Sequence, residues 1–168
     1  MRLAVLAFVL GACSTAGSSS GAHVTIHDIA PRPQDVSTID GIVNAFYEIV
    51  NVAPGQPRQW DRDHTLYAPW VHFVAHMPER VIMTHQEFVD RFDGVVKTGF
   101  IEKEIKRTVT RFGNVAQVAS TYETVTGDHH SRGVNLLQLY YDGNRWWIEG
   151  SVWQDETSDL PIPKELLP

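Results

Sequence analysis

The chain has 168 residues and a formal net charge of −6 at pH 7, with 14 Lys and Arg against 20 Asp and Glu. An acidic chain has little attraction for phosphate backbones, and its densest basic stretch, 103–111, is interleaved with Glu and Thr as a solvated strand face is. We therefore expect no nucleic-acid partner. The sequence contains no serine-hydrolase, phosphate-loop, zinc-protease, C-x-x-C or dinucleotide motif, so we expect no cofactor.

The first residues are typical of a secretory signal. One positive charge, at Arg2, precedes an apolar run at 3–12, which is too short for a bilayer core that needs about 20 residues in a helix. The run leads into LGAC, which resembles the bacterial lipobox, where signal peptidase cuts before a Cys that carries a diacylglycerol. Cys13 is the only cysteine. We predict a signal peptide at 1–12 and a lipidated Cys13. Ordinary secretion and an uncleaved or misassigned start are the alternatives.

A tether, one folded domain and a tail are predicted to follow. The small residues STAGSSSGA suit a flexible tether, so 13–35 is assigned to the lipidated Cys and this tether. The folded domain is assigned to 36–157, and 158–168 to a surface tail stiffened by Pro. Membrane attachment would come from the lipid anchor alone. By analogy with lipoprotein sorting, Ser14 indicates the outer membrane if the host is Gram-negative.

Two amphipathic helices are predicted from apolar residues at helical spacing. The first begins near Ser37, where Asp40 completes a capping pattern. The second follows a capping box formed by Thr84 and Glu87. The residues predicted to face inward are Ile39, Ile42, Val43, Phe46, Ile49 and Val50 in the first helix, and Phe88, Val89, Phe92, Val95 and Val96 in the second.

The segment between these helices predicts shorter elements. We expect a short helix at 59–66 and strands at 70–77 and 80–83. The charged run DRDH at 61–64 is interpreted as a solvated helix face.

From Phe100 onward the pattern alternates with a period of two, which indicates strands. Strands are predicted at 101–111 and 114–126, and a long hairpin at 132–156. Asp-Gly between apolar runs, as at Asp142, is a strong hairpin signal. Helices first and strands last indicate an α+β domain with an antiparallel sheet.

Several stretches together resemble the nuclear-transport-factor-2-like superfamily, which includes ketosteroid isomerases and SnoaL-like proteins. They span 37–156 and read IDGIVNAFYEIV, LYAPWVHFVAH, THQEFVDRFDG, RFGNVAQVASTYETV and GVNLLQLYYDGNRWWIEGSVWQDE. The resemblance implies a cone-like α+β fold, with N-terminal helices packed in the concave face of a curved, mainly antiparallel sheet. It also implies a pocket inside the cone and dimerisation through the outer face of the sheet.

The resemblance to ketosteroid isomerases also suggests where acid–base residues would lie. Those enzymes carry a Tyr donor on the first helix and an Asp base on the segment after the second. In this chain Phe46 falls at the Tyr position, with Tyr47 one residue away, and the Asp position falls near Ala75, next to His76. An enzyme would therefore use His72 or His76 as the base and Tyr47 or Tyr122 as the donor.

Other polar residues are candidates for the pocket. Tyr122, Asn135 and Gln138 lie on central strands among apolar neighbours, and buried amides and phenols need partners. With Phe46, His72 and Gly150 they form the predicted ligand pocket, although the polar groups could equally satisfy one another.

A metal site is not expected. On a strand, His72 and His76 would lie about 13 Å apart, too far for one zinc ion with His85 as a further ligand.

The last strand carries a candidate dimer face. With regular alternation, Trp147, Glu149, Ser151 and Trp153 share the outer face, and Gly150 lies on the core face with its apolar neighbours. A bulge at Gly150 would instead move Trp153 toward the pocket mouth.

Three functions remain open from the sequence. The leading hypothesis is an extracytoplasmic, lipid-anchored, non-catalytic domain that binds a small, largely apolar molecule in the cone pocket. The first alternative is an isomerase-type or hydrolase-type enzyme with a pocket His as base. The second is a homodimeric interaction module of the cell envelope.

Overall fold

A computed structural model describes residues 23–77, 79–94 and 98–168. The predicted signal peptide, Cys13 and the Ser-rich stretch lie outside these residues, as do Val95 and Val96. In the described part of the chain, no helix is long and apolar enough to cross a membrane.

The elements, in chain order, are α1 (Pro33–Val36), α2 (Ile39–Val50), α3 (Trp60–His64), β1 (Tyr67–Met77), β2 (Glu79–Met83), α4 (His85–Phe92), β3 (Ile101–Phe112), β4 (Val115–Thr126), β5 (His129–Tyr141), β6 (Trp146–Asp155) and a short 3-10 helix (Lys164–Leu166).

The strands form one curved sheet in the order β2-β1-β6-β5-β4-β3. All neighbouring strands are antiparallel except β1 and β6, which are parallel. The main core lies on the concave face, where apolar side chains of the sheet pack with those of α2. The predicted α+β fold with a mainly antiparallel sheet is confirmed.

The helix α2 buries the apolar face that its sequence predicts. Ile42, Val43 and Ile49 are fully buried. The cap is Thr38, whose hydroxyl accepts a hydrogen bond from the backbone N–H of Gly41 at 2.9 Å, so the helix starts slightly later than predicted.

The capping box of α4 is confirmed. Thr84 Oγ1 accepts from the backbone N–H of Glu87 at 3.3 Å, and Glu87 Oε2 accepts from the backbone N–H of Thr84 at 2.8 Å. This start aims Phe88 at the sheet, where its ring stacks on Phe73 with centroids 4.4 Å apart. The helix α4 therefore forms one aromatic wall above the concave face.

The closing hairpin is also confirmed. Asp142 Oδ1 accepts from the backbone N–H groups of Asn144 and Arg145 at 2.8 and 2.9 Å. Gly143 has φ +102°, a conformation that favours glycine. The turn sets β5 against β6.

A bulge in β6 overturns the predicted faces of that strand. Gln138 pairs with Gly150 and Leu139 pairs with Ile148, which leaves Glu149 as an extra residue. Side chains beyond the bulge therefore change face. The predicted outer-face positions of Ser151 and Trp153 are wrong, because both line the concave side. The alternative with a bulge places Trp153 correctly, although the bulge occurs one residue earlier than proposed.

The interpretation of 61–64 as a solvated face is wrong for two of its residues. Arg62 is buried and forms a two-pronged ion pair with Asp35, at 2.8 and 3.0 Å, and it also donates to Glu48 at 2.7 Å. Asp63 is buried beside His85, with Oδ2 and Nε2 2.8 Å apart. These pairs hold α3 against its neighbours in the fold.

The C-terminal segment lies on the outer face of β3 and β4. Thr121 Oγ1 donates to the carbonyl of Leu166, and Lys106 Nζ donates to that of Leu167, both at 2.6 Å. Ile162 is buried. The segment thus covers part of the outer surface of the sheet.

Candidate functional site

A cavity of about 230 Å³ lies between the helices and the concave face of the sheet. Its walls are mainly aromatic, and Trp153 meets Phe88 and Phe92 with ring centroids 6.1 and 6.3 Å apart. The Phe, Tyr and Trp residues of the lining are Phe46, Phe73, Phe88, Phe92, Phe100, Tyr122 and Trp153. A few polar side chains also line the cavity. A mainly aromatic lining with a few polar groups is the composition expected of a small-molecule site.

The cavity borders a wider polar groove at one end of the sheet. The groove measures about 1270 Å³ and includes His76 and His130 in its lining. Both spaces are lined by Thr124, His129, Ser131 and Asp155. The two spaces therefore share part of their walls.

Glu102 places a buried carboxyl group in the cavity wall. The residue is 7% exposed, and its Oε1 accepts from Asn135 Nδ2 at 2.9 Å. Its backbone N–H donates to Asn51 Oδ1 at 2.6 Å, and Asn51 Nδ2 donates to the carbonyl of Tyr47 at 2.7 Å. Asn51 therefore ties the end of α2 to the start of β3 and fixes the position of Glu102.

Burial makes the ionised form of Glu102 unfavourable. Desolvation is the largest cause and raises the pKa of Glu102 from 4.5 to about 7. The hydrogen bond from Asn135 and the charge of Arg58 lower the pKa of Glu102, while the charge of Asp155 raises it further. A carboxyl group with this pKa exchanges a proton near neutral pH.

A chain of hydrogen bonds runs from Glu102 to the protein surface. Asn135 Nδ2 also donates to Tyr47 Oη at 3.2 Å, and Tyr47 Oη lies 2.6 Å from Ser120 Oγ. Ser120 Oγ donates to Glu104, which accepts from Arg107 at 2.6 to 3.1 Å. Because each link orients the next, Tyr47 positions the amide of Asn135.

A second polar pair lies on the neighbouring strands. Tyr122 Oη donates to Asp155 Oδ1 at 2.6 Å. Burial, followed by the hydrogen bond to Asp155, raises the pKa of Tyr122, so the phenol stays protonated. A Cβ at Gly133 would overlap this hydroxyl, and glycine there leaves the pair its space.

Arg58 is the buried cation of the cavity. The residue is 9% exposed, and its Cζ lies 4.4 Å from the ring centroid of Trp60 and 5.6 Å from that of Phe88. Burial lowers the pKa of Arg58, opposed by nearby acidic groups. Among the described residues, no hydrogen-bond acceptor reaches its buried Nε.

Half of the predicted pocket residues line this cavity. Phe46, Tyr122 and Asn135 do so. His72 and Gln138 lie on the outer face, because Phe73 and Leu137 beside them in sequence point into the core.

Gly150 also faces outward, where a Cβ would lie 3.1 Å from Gln138 Oε1. The pocket assignments of His72, Gln138 and Gly150 are therefore wrong. Strand pleating explains the first two, and the Glu149 bulge explains the third.

The predicted catalytic residues do not meet in the cavity. His76 is exposed and borders the groove, on the same face as His72. Tyr47 is buried behind the cavity wall and reaches it only through Asn135. In the described ranges, no cluster of three or more His, Cys, Asp or Glu side chains could hold a metal ion.

The candidate dimer face is divided by the same bulge. Trp147 lies on the outer face, where its Nε1 donates to Asp142 Oδ2 at 2.8 Å and Arg145 lies over its ring. Trp70, which is 56% exposed, stacks on Tyr140 on that face. Dimerisation through Trp147 and Glu149 stays a prediction, whereas Trp153 is no longer part of that surface.

Sequence reasoning missed three charged residues of the cavity, namely Arg58, Glu102 and Asp155. Glu102 directly precedes the stretch 103–111, whose pattern predicts a solvated strand face, but it is buried while the adjacent Ile101 is 46% exposed, which reverses the apolar pattern. Arg58 sits in a loop that has no periodicity. The need of Tyr122 for a buried partner was the one signal that pointed toward Asp155.

Comparison with solved structures identifies the fold. An NTF2-like protein of unknown function from Pseudomonas putida KT2440 has a TM-score of 0.59 and 12% identity, over 77% of this chain and 94% of that chain. One from Pseudomonas aeruginosa has a TM-score of 0.58 and 16% identity, over 70% and 97%. A candidate ketosteroid isomerase from Parabacteroides distasonis has a TM-score of 0.54 and 11% identity, over 74% and 98%.

The chain therefore has the NTF2-like fold, as its sequence predicted. At these identities the likeness establishes the fold alone. No protein-family model matches the chain, and a search of curated proteins finds no match.

The raised pKa of Glu102 predicts a pH dependence of stability. The unfolded chain ionises this group near 4.5 and the folded chain near 7, so the folded state binds more protons between these values and stability falls as pH rises through them. When the pH is raised from 5 to 8, the difference in unfolding free energy between Glu102→Gln and wild type should shift by about 2–3 kcal/mol in favour of the variant. Urea unfolding at both pH values measures this difference.

Glu123→Gln is the matched control for this experiment, because Glu123 is an exposed carboxylate on β4. It should follow wild type at both pH values. A Glu102→Gln variant with the same pH dependence as wild type would show that the carboxyl group is solvated.

Proposed function

We propose that the domain binds a small, largely apolar molecule in the cavity. The observation that carries this proposal is an aromatic cavity of about 230 Å³ with a few polar groups in its walls. Pockets for drug-sized ligands measure about 300 to 1,000 Å³, so the ligand would be smaller than a typical drug. Its apolar body would contact the aromatic walls, and its polar group would lie against the polar side chains of the cavity wall.

Filling the cavity should abolish binding. Ser151 is 2% exposed and lines the cavity, so Ser151→Leu adds apolar volume inside it. Indole, used as an apolar probe in isothermal titration calorimetry, should bind wild type and bind this variant at least about tenfold more weakly, a loss of about 1.4 kcal/mol.

Ser158→Leu is the matched control, since Ser158 is exposed in the C-terminal segment. It should bind indole as wild type does. Equal indole affinity in wild type and both variants would place the binding elsewhere and contradict the proposed site.

A second candidate function is acid–base catalysis, and Glu102 is the observation that favours it. The sequence offered only histidines as bases, and His72 and His76 lie outside the cavity. Glu102 lies inside it with a pKa of about 7, which suits a general base at neutral pH. Glu102 would remove a proton next to a carbonyl group, and the developing oxyanion would need a hydrogen-bond donor in the cavity wall.

Proton exchange tests this candidate without knowledge of the natural substrate. Phenylacetone in D₂O should exchange the protons next to its carbonyl faster with wild type than without protein, as followed by proton NMR. Glu102→Gln should remove the acceleration, because an amide does not accept the proton, and Glu123→Gln should retain it. An unchanged exchange rate in Glu102→Gln would eliminate Glu102 as the base.

We propose further that the domain is secreted across the inner membrane and lipid-anchored to the cell envelope, at the outer membrane if the host is Gram-negative. The support is the LGAC sequence, the apolar run before it and the Ser-rich stretch after it. The domain would then meet its ligand outside the cytoplasm.

Replacing the acceptor tests the anchor. Cys13→Ser should lose incorporation of alkyne-labelled palmitate in a bacterial host and should leave the membrane fraction. Ser14→Ala keeps the thiol and should still be labelled. Labelling that persists in Cys13→Ser would contradict lipidation at this residue.

A further inference from the structure

We infer that the cavity selects small aromatic or aliphatic carboxylates, and that Arg58 binds the carboxylate group of the ligand. The inference deepens the proposed function and rests on it. Its starting point is a guanidinium group in the cavity wall that is buried and incompletely paired.

A buried arginine requires acceptors, because the guanidinium carries five N–H donors and stays charged. Arg58 is 9% exposed, and its Nε has no hydrogen-bond partner among the described residues. A buried charge without a partner is costly, so such an arrangement is favoured when a ligand completes it.

The acidic residues near Arg58 are engaged elsewhere. Asp63 pairs with His85 at 2.8 Å, and Asp93 accepts from Trp60 Nε1 at 2.7 Å. Glu102 accepts from Asn135 at 2.9 Å.

Within the described part of the chain, none of these carboxylates has an oxygen within 4.0 Å of a guanidinium nitrogen of Arg58, so none forms an ion pair with it. They attract the guanidinium through space without satisfying its donors. Arg58 lines the cavity without an ion-pair partner among the described residues, so a ligand that carries a carboxylate would supply one.

The aromatic rings restrict the direction from which an anion can approach. The guanidinium carbon lies over Trp60 at 4.4 Å, and Phe88 lies 5.6 Å away. Rings that cover the faces of the guanidinium leave its N–H edges for hydrogen bonds. A planar carboxylate fits such an edge with two parallel hydrogen bonds, and the aromatic walls then enclose an apolar body.

Matched pairs of acids and amides test the inference, because each pair has the same shape and differs in charge. The probes are benzoate, phenylacetate and hexanoate, each compared with its primary amide by isothermal titration calorimetry on the full-length protein. Wild type should bind at least one acid at least about tenfold more tightly than its amide. Arg58→Met should reduce this ratio to about one while the amide still binds, and Arg58→Lys should keep part of the preference.

Arg91→Met is the matched control, since Arg91 is exposed on α4. It should keep the preference of wild type. Circular dichroism spectra of all variants establish that they are folded, and the acid-to-amide ratio separates recognition from a general loss of stability.

The outcomes distinguish the inference from the function on which it rests. Equal binding of acids and amides by wild type, or a preference that survives in Arg58→Met, would overturn the role of Arg58 and leave a cavity that binds small molecules. If indole binds but no acid or amide does, the inference fails alone. If none of these probes binds, the proposed function fails as well.

Discussion

Every polar group buried inside an apolar cone needs a partner, and this requirement governs how the interior of the domain is arranged. Glu102 receives a hydrogen bond from Asn135, which also donates to Tyr47, and Tyr47 is hydrogen-bonded to Ser120. Tyr122 donates to Asp155 in the same way. Arg58 departs from the pattern, since its buried Nε has no partner among the described residues. Arg58 lines the cavity, where the carboxylate of a bound molecule would supply an ion-pair partner for the guanidinium group.

Small irregularities in the strands place these groups. The extra residue Glu149 in β6 moves Ser151 and Trp153 to the concave face. A second register shift, between Glu104 and Lys106 in β3, lets Glu104 and Arg107 both turn toward α2, where Arg107 reaches Asp40 and Asn44. Bulges commonly re-aim side chains near functional sites. The site in this protein therefore depends on departures from regular pleating as much as on the sheet itself.

The sequence predicted features that arise from local physics. The cap of Thr84, the apolar face of α2 and the turn at Asp142 depend on residues close together in the chain, and the structure contains all three. The faces of Trp153 and Glu102 depend on pairing with distant strands. One unpaired residue in a strand moves every side chain beyond it to the opposite face of the sheet, and neither hydrophobicity nor spacing shows where such a residue occurs. The burial of Arg58 depends on the packing of the loop after α2 against α4, where Phe88 lies 5.6 Å from its guanidinium carbon, and these segments are distant in sequence.

Native mass spectrometry of gently desalted, full-length protein tests the central claim most directly, because it reports whether the cavity holds a molecule as purified. The proposed function predicts a discrete added mass on wild type that disappears on denaturation and that is missing from Ser151→Leu, whose cavity is filled. The added molecule should be an acid if Arg58 selects carboxylates. A bare mass for both proteins, unchanged when each acid and amide probe is added, would contradict ligand binding in this cavity.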